Sequence, residues 1–295
     1  MTSGLLKLIA LILMTIDHIG EFIPNSPIWF KYLGRLSAPI FFFAAAEGIY
    51  HSRDRKKYLL RMYIASVLMA VAESVCWHLS GTFINNNIFA SILFGTTLVY
   101  ILEEYRENKP KRNTLLLLFI GWQIVSSVFC MWFNNAGPID YSIARIIYTA
   151  LGNYLFAAEG ALYLTLAIVI FYLCRDNKKR LVVVFTVYCA VFFALTVLKV
   201  PTYAFEVICR LGVNRGVAEI LIQLPAEILG FEVSSNVFGA SFYELAFERY
   251  YQWMMIFALP IIVAYNGKRG KYPKWLFYTY YPLHLFALAA LSAIL

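Results

Sequence analysis

The stretch Thr114–Asn134, TLLLLFIGWQIVSSVFCMWFN, decides the fold class. It holds no charged side chain, follows Lys111 and Arg112, and has the roughly 20-residue length that an α-helix needs to cross hydrocarbon. Leu115–Ile120 is apolar at every position, as is Leu181–Phe185, so neither shows the alternation of an outer-membrane strand. A helix satisfies its own backbone in lipid, and helix is therefore the element. Working outward, similar runs occupy about 5–23, 33–50, 58–79, 87–104, 154–174, 181–199, 249–266 and 275–294. The pattern predicts an all-α polytopic transmembrane bundle of nine to eleven helices, a single domain over 1–295.

Composition agrees. Of 295 residues 61% are hydrophobic and 14% charged, where soluble domains carry about 25% charged. The net charge of +8 would suggest nucleic acid in a soluble chain, but here the cations gather in short loops. These are Arg53, Arg55, Lys56 and Lys57; Arg106, Lys109, Lys111 and Arg112; Arg175, Lys178, Lys179 and Arg180; Lys268, Arg269, Lys271 and Lys274. The positive-inside rule puts these loops and the amino terminus in the cytoplasm of a bacterial-type plasma membrane, with no nucleic-acid partner. Parity then requires 200–248 to stay outside or to add an even number of crossings. Segments 135–153 and 200–248 are semi-apolar and include Arg145, Glu206, Arg210, Arg215, Glu219 and Glu227, so both read as external interfacial pieces. Lys7 ahead of an apolar run imitates a signal peptide, but Asp17 and His18 interrupt the place for a cleavage site. Five cysteines without a C-x-x-C pair support neither a zinc site nor a disulfide framework, and no metal is expected.

Ionisable groups inside hydrocarbon are costly, so their depth is informative. His18 lies roughly 20 Å above the inner face at ~1.5 Å per residue, next to Asp17. Arg35, Glu73, Asn86, Asn87 and the run Arg249–Trp253 reach the same outer half, and His284 sits nearer mid-depth. Asp17 with Arg35 as a structural ion pair, or a protonated Glu73, would explain single residues; five helices bringing polar groups to one depth points to a site. Adjacent helical residues diverge by about 100°, so Asp17 does not simply orient His18. At the inner side Lys7, Arg53, Arg55, Arg61, Lys268 and Arg269 surround the mouth, suited to anionic lipid or to a phosphate-rich ligand. A short echo links Ala44–Gly48 (AAAEG) with residues 157–160 (AAEG).

The runs LKLIALILMTIDHIG (Leu6–Gly20), GRLSAPIFFFAAAEGIYHSRDRKKYLLR (Gly34–Arg61), NNNIF (85–89), RYYQWMMIFALPIIVAYNGKRG (Arg249–Gly270) and YPLHL (Tyr281–Leu285) resemble the TraX family. That family is named for pilin acetylation and is similar to the integral-membrane acyltransferases, including the acyltransferase-3 proteins. The resemblance covers both ends of the chain and leaves about 105–248 outside it.

The resemblance implies acetyl transfer from cytoplasmic acetyl-CoA to an amine or hydroxyl at the outer face, the acceptor being a peptide or pilin amino terminus or a glycan. In acyltransferase-3 proteins an Arg stands eleven positions before an essential His; the matching positions are Lys7, a departure that loses the planar fork, and His18. His18 would be general base or acetyl carrier. Asp17 or Glu73 would stabilise its imidazolium, and Arg35 or Asn87 the oxyanion. Trp253 and His284 join the acceptor or oxyanion side. Lys7, Glu47, Arg53, Arg55, Arg61, Lys268 and Arg269 would hold the CoA moiety. Acceptor choice would reside in 135–153 and 200–248. The alternative is a proton-coupled transporter or flippase, for which no inverted repeat is found; a structural partner in an envelope complex leaves the outer polar cluster unexplained. No motif reports oligomeric state.

Overall fold

Side chains supplied by the loops start the helices. Thr2, Asp54, Asn87, Asp140 and Asn177 each accept a backbone N–H from the first turn that follows, which satisfies a donor the helix itself cannot. The computed structural model describes residues 1–81, 87–135, 137, 140–157, 162–233, 239–271 and 274–292. All regular structure among them is helical. The order is α1 (Ser3–Phe22), α2 (Trp29–Gly34), α3 (Ser37–Tyr50), α4 (Arg55–Ser80), α5 (Ile88–Glu104), α6 (Lys109–Asn135), α7 (Tyr141–Ala150), α8 (Tyr154–Ala157), α9 (Leu162–Cys174), α10 (Lys178–Thr196), α11 (Val200–Arg210), α12 (Arg215–Ala218), α13 (Leu224–Leu229), α14 (Leu259–Val263) and α15 (Lys274–Ser292). Two π-helical turns, Glu219–Gln223 and Glu244–Arg249, and a 3₁₀ segment, Tyr251–Ala258, complete it.

Three helical stretches, Arg55–His78, Lys109–Asn135 and Lys178–Thr196, are long and apolar enough to cross a membrane. Leu162–Cys174 and Tyr251–Val263 are shorter apolar helices. In α6 Leu117, Leu118, Ile124, Val125, Val128 and Trp132 are all exposed, as a helix needs when hydrocarbon rather than protein covers it.

The core is built around α3 and α5, which pack on each other; α1 and α9 flank α3, while α4 and α9 flank α5. Gly95 permits the α5–α9 approach, since a Cβ there would meet Ile168 Cδ1 at 2.5 Å. Helix α15 closes the bundle against α1 and α4, and α10 packs on α9 and on the 3₁₀ segment. The span expected at 33–50 is broken at Arg35–Leu36 into α2 and α3. The one expected at 249–266 is part 3₁₀ and part α, which stretches it by about 0.5 Å per 3₁₀ residue.

Segment 135–153 holds one short helix among its described residues. Its helix α7 packs against α4 and α6, with Arg145 and Tyr148 fully buried, because an ion pair and an aromatic cluster draw it into the bundle. Segment 200–248 leaves Val207, Leu211, Ile220, Leu221 and Leu224 exposed.

All four basic loops lie at one end, as a chain of contacts demonstrates. Arg55 pairs with Glu103 and Glu104 at 3.5 and 3.1 Å. The Tyr172 hydroxyl donates to Glu103, and Arg175 stacks over Tyr172 and Tyr50. Lys178 Nζ donates to the carbonyls of Val263 and Tyr265 at 2.7 and 3.1 Å. The loop after α14 holds the amino terminus, with Ser3 N–H on Lys268 O at 2.8 Å and Gly4 N–H on Arg269 O at 3.0 Å.

Candidate functional site

Lys7, Leu11, Thr15 and His18 form one face of α1, because eleven residues make three turns plus about 20°. His18 is 3% exposed and meets His284 of α15, itself 8% exposed. Nδ1 of His18 lies 2.7 Å from Nε2 of His284, and the rings are nearly parallel at 9° with centroids 5.0 Å apart. Nδ1 of His284 lies 3.0 Å from the Tyr280 carbonyl. Tyr280 stacks on His284 and meets the Thr15 hydroxyl at 2.8 Å, while Tyr281 presents its ring edge to both histidines. Pro282, inside α15, has no backbone N–H, which removes one donor at this level.

Asp17, turned away from that face, forms an ion pair with Arg35. Arg35 also donates to Gln252 Oε1 at 3.1 Å and to the Lys31 carbonyl at 3.2 Å, and lies over the Tyr251 ring. Gly34 makes room for this, since a Cβ there would fall 2.1 Å from Asp17 Cγ. Consecutive residues of the 3₁₀ segment thus contribute both a stacking ring and an amide acceptor.

A cavity of about 720 Å³ opens at the basic end of the bundle. Lys7, Arg53, Lys57, Arg61 and Arg269 line it, with Glu47 and Asp54 as its acids. Its deeper wall is Leu11, Phe41, Met62, Phe89, Ile92 and Tyr281. The last of these is the ring that edges on His18 and His284, so the cavity comes within one side chain of the histidine pair. Ala44, Ala45 and Gly48 of the AAAEG run line it too, and their small side chains leave the space open. The second copy of that run has residues 158–160 outside the described residues.

Several predicted site residues stand elsewhere. Glu73 meets Arg145 of α7 at 3.1 Å, both nearly fully buried, which gives it a partner other than His18. Asn87 caps α5 by accepting from Ala90 N–H and donates to the Ser66 carbonyl at 2.9 Å, so its amide joins α4 to α5. Asn86 lies outside the described residues. Trp253 donates its indole N–H to the Ala246 carbonyl and packs on Phe193. Arg55, held by Glu103 and Glu104, and Lys268, whose backbone holds the amino terminus, do not line the cavity. Glu47 accepts from the Tyr265 hydroxyl and pairs with His51 at 3.4 Å. Sequence reasoning gave no role to Tyr281, Tyr280 or Thr15 and read Arg145 only as a charge of an external segment; Thr15 was readable three positions before His18 on the same face.

The family model described as TraX protein matches residues 2–214. The chain is 29% identical over 151 residues to the uncharacterized protein RP591 of Rickettsia prowazekii (strain Madrid E), covering 51% of this chain and 54% of that protein. It is 36% identical over 67 residues to a probable fimbrial assembly protein FimC, serogroup H1, of Dichelobacter nodosus, 21% of this chain and 28% of that protein. The chain therefore spans about half the length of the first relative and about a quarter of the second. No solved structure matches it. The family match corrects the extent read from motifs: it runs through 105–214, which the motifs left out, and stops before the RYYQW and YPLHL runs. Because it takes in α1 to α11, with Lys7, His18, Arg35 and most of the cavity wall, the chain belongs to the TraX family.

Proposed function

We propose that the chain is a transmembrane acetyltransferase that takes acetyl-CoA from the cytoplasm and acetylates an amine or hydroxyl at the opposite face. The observation that carries this reading is the cavity, cationic at its mouth and aligned with the Lys7–His18 face of α1 as far as Tyr281. Arg53, Lys57, Arg61, Arg269 and Lys7 suit the phosphates of CoA, and the apolar walls suit its extended arm. His18 then takes the proton of the acceptor as that group attacks the thioester carbonyl, the C–S bond breaks, and the thiolate leaves. Arg35, fixed by Asp17 and Gln252, supplies positive charge near the developing oxyanion.

In this reading nine helical passes cross the plasma membrane with the amino terminus inside. The gathering of all four basic loops at the amino-terminal end of the bundle supports that orientation. The likeness to a fimbrial assembly protein favours a surface-fibre subunit among possible acceptors.

The test uses purified protein in nanodiscs with acetyl-CoA and two probes, a peptide with a free amino terminus and glucosamine. Thiol release that requires a probe, with acetyl found on it and loss of both in His18→Ala, is expected. Transport of an unmodified probe into vesicles without thioester consumption would refute the reading.

A further inference from the structure

We infer that His284 is a positioning residue that fixes which nitrogen of His18 carries the proton; as a role in catalysis this rests on the acetyl-transfer reading. A carbonyl oxygen only accepts, so the 3.0 Å contact to Tyr280 O makes His284 Nδ1 the protonated nitrogen. A neutral imidazole has one N–H, which leaves a lone pair on His284 Nε2. The 2.7 Å contact from that atom to His18 Nδ1 then needs a donor, and His18 supplies it. The lone pair of His18 is therefore on Nε2, the nitrogen that takes the proton from the acceptor.

A lone imidazole would divide itself between two tautomers, and half-right placement of a base is costly to proton transfer. The anchoring extends further. The Thr15 hydroxyl donates to the Leu11 carbonyl at 2.8 Å, so in its 2.8 Å contact with Tyr280 the tyrosine is the donor. That bond ties the Tyr280 ring, stacked at 12° on His284, back to the helix that carries His18. When His18 receives the acceptor proton on Nε2, its Nδ1–H to His284 becomes a charge-assisted bond, and the same Nε2 proton is later available to the departing thiolate.

The test has two readouts. Nitrogen-15 NMR of the protein in nanodiscs, with histidines labelled, is expected to show wild-type His18 protonated at Nδ1, and a mixture of tautomers in His284→Phe. With acetyl-CoA and the same peptide and glucosamine probes, His284→Phe should lower kcat by about a hundredfold or more, the scale of general-base catalysis, without raising KM for acetyl-CoA. His284→Gln places an amide oxygen near the lost Nε2 and should recover most of that loss. Wild-type His18 protonated at Nε2, or an undiminished kcat in His284→Phe, overturns the positioning role. The predicted tautomer in a wild type that acetylates neither probe would count against the transfer reading and leave the hydrogen-bond assignment standing.

Discussion

Glu73 of α4 and Arg145 of α7 face each other at 3.1 Å with side chains 5% and 2% exposed. Removing one partner of such a pair leaves an uncompensated buried charge and costs about 3–5 kcal/mol, whereas replacing both with apolar groups is far milder. Glu73→Gln and Arg145→Met are each expected to lower the thermal midpoint in detergent sharply, and the double variant Glu73→Leu/Arg145→Leu to regain most of it. An unchanged midpoint in either single variant would remove the pair from the structural framework.

Gly34 tests the Asp17–Arg35 clamp without touching either charge. A methyl group there must displace the Asp17 carboxylate, because its ideal position is 2.1 Å from Asp17 Cγ. Gly34→Ala should cost about 1–3 kcal/mol, the range for overpacking, and lower turnover by releasing Arg35. Gly20→Ala, whose Cβ would meet Phe30 Cβ at 3.0 Å, should be milder. Equal effects at the two glycines would argue against a clamp.

The contrast between Glu73 and His18 shows what one sequence can and cannot convey. Hydropathy shows where apolar helices run and charge shows where the basic loops gather, so the helical class and the basic end were legible. Depth does not determine azimuth. Glu73 and His18, expected at one level from the sequence, part company in the structure: one turns to Arg145 and the other to His284, a residue 266 positions away. Arg145 was visible as a charge of segment 135–153, but its partner was not, because its ten-residue helix is too short to announce itself as part of a bundle. The bond from Asn87 to the Ser66 carbonyl likewise depends on how α4 and α5 meet, which hydropathy does not convey.

Cations lining the cavity should act on donor binding rather than on chemistry. Arg269→Ala and Arg61→Ala are expected to raise KM for acetyl-CoA by about tenfold each, the worth of about 1.4 kcal/mol, with kcat little changed. The effect should shrink at high salt. Lys179→Ala, an exposed basic residue outside the cavity, should leave KM where it is. Equal changes at all three positions would mean that the loops act only through their overall charge.

Acid sensitivity should come in part from two caps outside the spans. The Lys57 backbone N–H holds the Asp54 carboxyl below the usual carboxylate range, and the Ser142 hydroxyl, then its backbone N–H, does the same for Asp140. A depressed folded value means the stabilisation is complete above the unfolded value, about 3.9, and is lost as pH falls through the folded one. Asn is as good a cap as Asp but does not titrate. The midpoint difference between wild type and Asp54→Asn or Asp140→Asn should therefore be constant above about pH 5 and shrink on acidification. A difference that stays flat down to pH about 3 would show that these carboxylates cap as dipoles and contribute no charge-dependent stability.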